Sequence, residues 1–122
     1  MVESTTTDDN LKITFVSSSD YTGYNSYFAP ATGNKIIQVK VDFQNNGTSD
    51  EYLSGFECYA DNAKCEDYFY ADDTKSPTLE SVSSGKSFSS IVYFEVPKNA
   101  EHITVEYTTN VLNSSKVILN VK

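Results

Sequence analysis

His102 is the only histidine in the chain, and Cys58 and Cys65 are its only cysteines. Those three side chains bound most of the chemistry on offer. A Ser-His-acid centre needs its base beside an activated serine and an oxyanion hole. No G-x-S-x-G elbow accompanies His102; Ser54-Gly55 and Ser84-Gly85 read as turns. His102 is therefore expected at the surface or a strand edge, and no residue is assigned a catalytic role. Zinc takes four ligands, chiefly Cys and His, and the three residues of those types lack ligand-like spacing. The only Met is residue 1, which removes a Met-based copper site. Asp61, Glu66, Asp67, Asp72 and Asp73 place hard oxygens near loops, the chemistry calcium uses, but the ordered EF-hand spacing is missing. Solvated acids, no metal and no cofactor are the expectation.

The cysteines carry a sharper one. Asp61-Asn62 lies midway between them and is turn-forming. If those two residues make a hairpin loop, Ala60 pairs with Ala63 and Cys58 falls opposite Cys65. Cross-strand partners sit about 4.5–5.5 Å apart, within reach of a disulfide. A disulfide is predicted; two buried free thiols are the alternative. The six-residue gap lacks the C-x-x-C geometry that lowers a thiol pKa, so the pair reads as structural and not redox-active.

Binding chemistry concentrates in Ser18 to Thr32, SSDYTGYNSYFAPAT. Tyr supplies amphipathic contact area at low entropy cost, while Gly, Asn and Ser adapt their hydrogen bonding. Tyr21, Tyr24, Asn25 and Tyr27 are the candidate ligand-binding residues. Tyr27 and Phe28 are expected instead to fold back and seal an open end of the fold; for Tyr21 and Tyr24 the two readings stand level.

The elements that would hold this loop are strands. In GNKIIQVKVDFQNNG, from Gly33 to Gly47, Ile37, Val39, Val41 and Phe43 alternate with Gln38, Lys40, Asp42 and Gln44. A strand turns successive side chains to opposite faces, so one face is apolar and the other wet. Asn45, Asn46 and Gly47 stop it. Similar alternation predicts strands over about 10–17, 55–60, 64–70, 87–96, 103–107 and 117–121, with Ile91, Tyr93 and Glu95 facing outward. A second irregular stretch runs from Ala71 to Gly85. About seven strands with turn signals between them predict an all-β, immunoglobulin-like antiparallel β-sandwich over residues 10–122. Asn46-Gly47-Thr48 and Asn113-Ser114-Ser115 match the glycosylation acceptor pattern, though Asn-Gly is already explained as a turn.

The 122 residues suit one domain. Net charge is −8, and lysine supplies all nine positive charges. Phosphate binding needs clustered cations, so nucleic acid is excluded, and anionic lipid is disfavoured by the same field. No apolar run reaches the length of a membrane helix, so direct membrane insertion is not expected. MVESTTTDDN has no signal-peptide core, which taken literally means cytosolic. Residues 1–9 also fit a disordered tether left after an export signal has been trimmed.

Several segments resemble a known family. Tyr27 and Pro30 followed by GNKIIQVKVDFQNNG, GFECY, SSGKSF and IVYFEVPKNAEHITVEY resemble the immunoglobulin-like domain of unknown function in exported lipoproteins of Gram-positive bacteria. Similar domains occur in secreted immunogenic proteins. The likeness spans about Leu11 to Val121; its most specific parts are Gly33-Asn34-Lys35, Asn45-Asn46-Gly47 and Phe94-Glu95-Val96-Pro97. It implies an extracellular or cell-surface sandwich without enzymatic activity. Two departures from antibody-type domains stand out: there is no Trp, and the cysteines sit locally. The expected function is a binding or adhesion module acting through loop 18–32 on a protein or cell-envelope ligand. A spacer with no ligand of its own is the alternative, and an enzyme comes third.

Overall fold

Alternating apolar residues become strands here because each strand finds a partner sheet for its apolar face. The computed structural model describes residues 3–7, 9–110 and 115–122. In chain order these form β1 (Glu3–Thr6), β2 (Leu11–Tyr21), a 3-10 turn (Ser26–Phe28), β3 (Asn34–Asn45), β4 (Glu51–Tyr52), β5 (Phe56–Ala60) and β6 (Ala63–Lys64). Then follow β7 (Glu66–Asp67), β8 (Ser81–Val82), β9 (Ser87–Pro97), β10 (Ile103–Asn110) and β11 (Ser115–Asn120). One sheet has the order β1-β2-β3-β9-β7, the other β11-β10-β5-β6, and β4-β8 is a separate ribbon. All pairings are antiparallel. The molecule is an antiparallel β-sandwich, as the alternation predicts. Seven strands have four residues or more, and four have only two.

Register explains the core. Ile37, Val39 and Phe43 of β3 lie opposite Phe94, Val92 and Phe88 of β9, and Ile13 of β2 lies opposite Phe43. In the second sheet Val105 lies between Cys58 and Leu119, and Tyr107 between Phe56 and Val117. Opposed residues share a face, so these two faces meet as one buried cluster.

Three expectations need correcting. The tether predicted over residues 1–9 is partly a strand: Glu3 to Thr6 pair with Phe15 to Lys12 of β2. Polar composition does not prevent main-chain pairing along an available sheet edge. The first strand does not stop near Ser17. A bulge between Phe15 and Ser17 lets β2 continue to Tyr21, so the connecting loop begins at Thr22. The return strand predicted over 64–70 breaks at Cys65, with Lys64 in one sheet and Glu66 in the other. Of the two acceptor patterns, Asn113 and Ser114 lie outside the described residues.

The Asn45-Asn46-Gly47 exit from β3 is more than a turn. Asn45 is fully buried; its amide donates to the carbonyls of Ser49 and Val82, both at 2.8 Å, and accepts from Gly47 N–H at 2.9 Å. One side chain thereby ties the end of β3 to β8.

Candidate functional site

The outer face of the larger sheet is not wet throughout. Ile36 and Tyr93, both outward by alternation, are 0 % and 2 % exposed. They pack with Tyr68 and Ala71, and with partly buried Tyr21, Tyr24 and Ile91. The segment after β7 and the loop after β2 lie over this face and bury it. Apolar residues on a face that alternation makes polar were the available signal for this second layer.

Tyrosines dominate the layer. The Tyr21 and Tyr93 rings meet nearly edge-on at 4.9 Å, and Tyr21 lies 6.1 Å from Tyr24 and 6.3 Å from Tyr68. Gln38 Nε2 donates to the Tyr93 hydroxyl at 2.7 Å, and that hydroxyl donates to Asp73 Oδ1 at 2.5 Å. Burial, reinforced by the Asp73 bond, pushes the Tyr93 phenol up to about 12. Burial also raises Tyr68, with the neighbouring tyrosines adding to the effect.

The site residues read from sequence therefore divide in an unexpected way. Tyr21 and Tyr24, the candidates for exposure, are half-buried in the tyrosine layer. Asn25 caps the 3-10 turn by accepting from Tyr27 N–H at 3.0 Å. Tyr27 does not seal the fold; it is 90 % exposed. Phe28 is also exposed, and stacks on exposed Tyr70 with ring centroids 4.2 Å apart and planes 10° from parallel. The reversal follows from the length of β2: Tyr21 is still a strand residue, opposite Ile36, so its ring is committed to the sheet face.

The loop that presents these rings is held by one carboxylate. Glu95 Oε2 accepts from Ala31 N–H at 3.1 Å and from Asn34 Nδ2 at 2.8 Å. Gly33, at φ 89°, makes the turn into β3 in a region costly for a side chain. From the other direction, Tyr68 O–H donates to the Phe28 carbonyl at 2.8 Å. Tyr27, Phe28 and Tyr70 thus sit on a braced support and not on a free loop.

Beside this shelf lies a cleft of about 310 Å³, where the chain crosses between the sheets. Phe56, Val92 and Phe94 line it, with Asp67 and Phe69. Phe69 is 73 % exposed. Asp67 lies opposite Phe94, so it belongs to the inward-facing set of the larger sheet. Partial desolvation raises its carboxyl above the ordinary Asp value, Lys64 opposes that, and Glu57 adds to it. Gly55 closes the cleft; a Cβ there would come within 2.8 Å of Thr78 Oγ1.

The cysteines adopt the predicted register without the predicted bond. Asp61 and Asn62 have φ of 48° and 71°, Ala60 pairs with Ala63, and Cys65 N–H donates to the Cys58 carbonyl at 2.8 Å. Both residues are free thiols. Cys65 Sγ donates to the Ala63 carbonyl at 3.6 Å, and burial, with Cys65 adding to it, raises the Cys58 thiol far above its usual range. Cys58 is fully buried in the core cluster, where a free thiol packs as a small apolar side chain and needs no cross-link.

The acids weighed against calcium chemistry do not converge. Asp61 accepts from the Glu101 and His102 amides, and Asp73 from Tyr93. Among the described residues, no group of three or more His, Cys, Asp or Glu side chains is arranged to hold a metal ion. His102 is on the surface at the turn before β10. No helix among the described residues is long and apolar enough to cross a membrane.

A family model, the domain of unknown function DUF4352, matches residues 1–118. The chain belongs to the DUF4352 family. Comparison with curated proteins gives no significant match. This DUF4352 domain is similar to ycdA of Bacillus subtilis, provisionally described as a lipoprotein, at a TM-score of 0.70 and 17 % identity. That alignment covers 98 % of this chain but only 38 % of ycdA. The yjhA protein of Bacillus subtilis matches at a TM-score of 0.66 and 14 % identity, over 98 % of this chain and 96 % of that one. A β-sandwich protein from Clostridium difficile matches at 0.57 and 12 % identity, over 98 % and 90 %. At these identities the likeness carries the fold.

Proposed function

We propose that this DUF4352 domain is a non-enzymatic binding module of an exported, surface-attached protein. It binds through the shelf formed by Tyr27, Phe28 and Tyr70. The observation that carries the reading is the Phe28–Tyr70 stack, two exposed rings held parallel beside an almost wholly exposed Tyr27. Exposed aromatics are costly in water and dominate contact surfaces where they occur. Here the Glu95 and Tyr68 hydrogen bonds order them in advance, which lowers the entropic cost of binding. The non-enzymatic part is supported by where the chemistry lies: Asp61 is engaged by backbone amides, and the only histidine is on the surface. Export is supported by the resemblance to lipoprotein domains and by the provisional lipoprotein description of ycdA.

Capture from native cell envelopes tests the reading, comparing the intact domain with a Tyr27→Ser, Tyr70→Ser double variant of matched melting temperature. A partner retained by the first and lost by the second supports it. If both capture the same partners, binding does not run through the shelf; if neither captures any, the domain is a spacer.

A further inference from the structure

We propose that the cleft between the sheets is a socket for the side chain of a lysine or arginine carried by a partner polypeptide. This rests on the binding-module reading but uses residues distinct from the Tyr27–Phe28–Tyr70 shelf.

The cleft has the amphipathic character of its occupant. Phe56, Val92 and Phe94 give it an apolar lining that suits an alkyl stem. Phe69, exposed beside them, offers a ring face to a cation. Asp67 supplies the countercharge. By its pairing with Phe94 it lies on the cleft side of the edge strand, where it is exposed to solvent, and among the described residues its carboxylate has neither a hydrogen-bond nor an ion-pair partner. The ion pairs of the described residues are Lys35–Asp20 and Lys116–Glu106, and Lys64 acts on Asp67 only from a distance. An exposed carboxylate beside an apolar lining, with no partner of its own, can form a charge-assisted hydrogen bond with an arriving ammonium or guanidinium.

Size and field agree. A volume of about 310 Å³ lies at the small end of ligand sites, room for one long side chain and little more. The net charge of −8 draws cationic partners toward the surface. A polypeptide is favoured over a free amine because the exposed Phe28–Tyr70 stack and Tyr27 give the flanking chain an apolar surface to lie on.

The test uses calorimetric titration of the full chain with three probes: acetyl-Gly-Lys-Gly-amide, its norleucine counterpart, and pentane-1,5-diamine. The lysine peptide should bind at least about tenfold more tightly than the norleucine peptide, the order of one charge-assisted hydrogen bond. Asp67→Asn should remove that preference at unchanged melting temperature, and Phe69→Ser should weaken both peptides while keeping it. Equal binding of the two peptides overturns the proposal, as does a lysine preference that survives Asp67→Asn. Tighter binding of the diamine than of the lysine peptide overturns its polypeptide part. If envelope partners still depend on Tyr27 and Tyr70 while Asp67→Asn changes nothing, the socket fails and the binding-module reading stands.

Discussion

Replacing Glu95 by alanine should loosen the support of Tyr27 and Phe28 while leaving the sheets paired. Its carboxylate accepts two hydrogen bonds, an exposed one from Ala31 N–H and a part-buried one from Asn34 Nδ2. Bonds to charged groups contribute about 1.5–3 kcal/mol each, and exposure reduces that, so about 1–2 kcal/mol for the two together is reasonable. A term of opposite sign exists: Glu95 lies directly opposite Glu66, a like-charge pair whose removal returns about 0.2–1 kcal/mol. The net, about 1 kcal/mol, falls on local loop opening and corresponds to roughly a five-fold shift in the opening equilibrium. Amide hydrogen exchange reads it directly. Ala31 N–H should exchange about five-fold faster in Glu95→Ala, while amides in the middle of β3 keep their rates. An unchanged Ala31 rate would mean the carboxylate is not the anchor. Equal acceleration throughout β3 would mean that it supports the sheet and not the loop.

Asn45→Ala should cost about 2–4 kcal/mol in urea unfolding, since three hydrogen bonds go and the Val82 carbonyl is left in a buried setting. A loss below about 1 kcal/mol would show that water replaces the amide. Alkylation of the native protein should label half-buried Cys65 and spare buried Cys58, with both labelled after unfolding; a single labelled thiol after unfolding without reductant, or none, would contradict free thiols. Tyr93 titrates at about 12 in the folded state against an ordinary 10.0, so folding favours its neutral form. Its contribution is therefore fully present below pH 10 and lost as pH rises through about 12. Tyr93→Phe should make the alkaline fall in stability shallower, and an identical slope would remove burial as the cause.

Legibility in the sequence followed the range of the interaction that decides each feature. β3, β9 and β10 were legible because alternation is local, and the β5–β6 hairpin because Asp61-Asn62 tolerates positive φ. The tyrosine layer was not. Alternation places Tyr93 and Ile36 on the outer face, but only the chain crossing after β7 decides that this part of the face is dry. Which tyrosines are exposed depends on the bulge in β2, and β2's continuation to Tyr21 is set by its pairing with β3. The cleft was equally hidden, because Asp67 and Phe69 face a gap that exists only once Cys65 has carried the chain from one sheet to the other.

The partnership of β3 with β9 also governs how such a domain can be made. Eleven consecutive pairings join these strands, yet residues 46–86 separate them and carry the β5–β6 hairpin of the opposite sheet. Non-local pairing must meet loop-closure entropy before any contact returns it, which slows folding into the millisecond-to-second range typical of sandwiches. A nascent chain ending before Ser87 has β3 with one flank bare and its apolar face without part of the opposing layer. Such a chain is a template for aggregation and a substrate for proteases. Release of the whole domain, and not the emergence of its first half, is the event that commits this sequence to its structure.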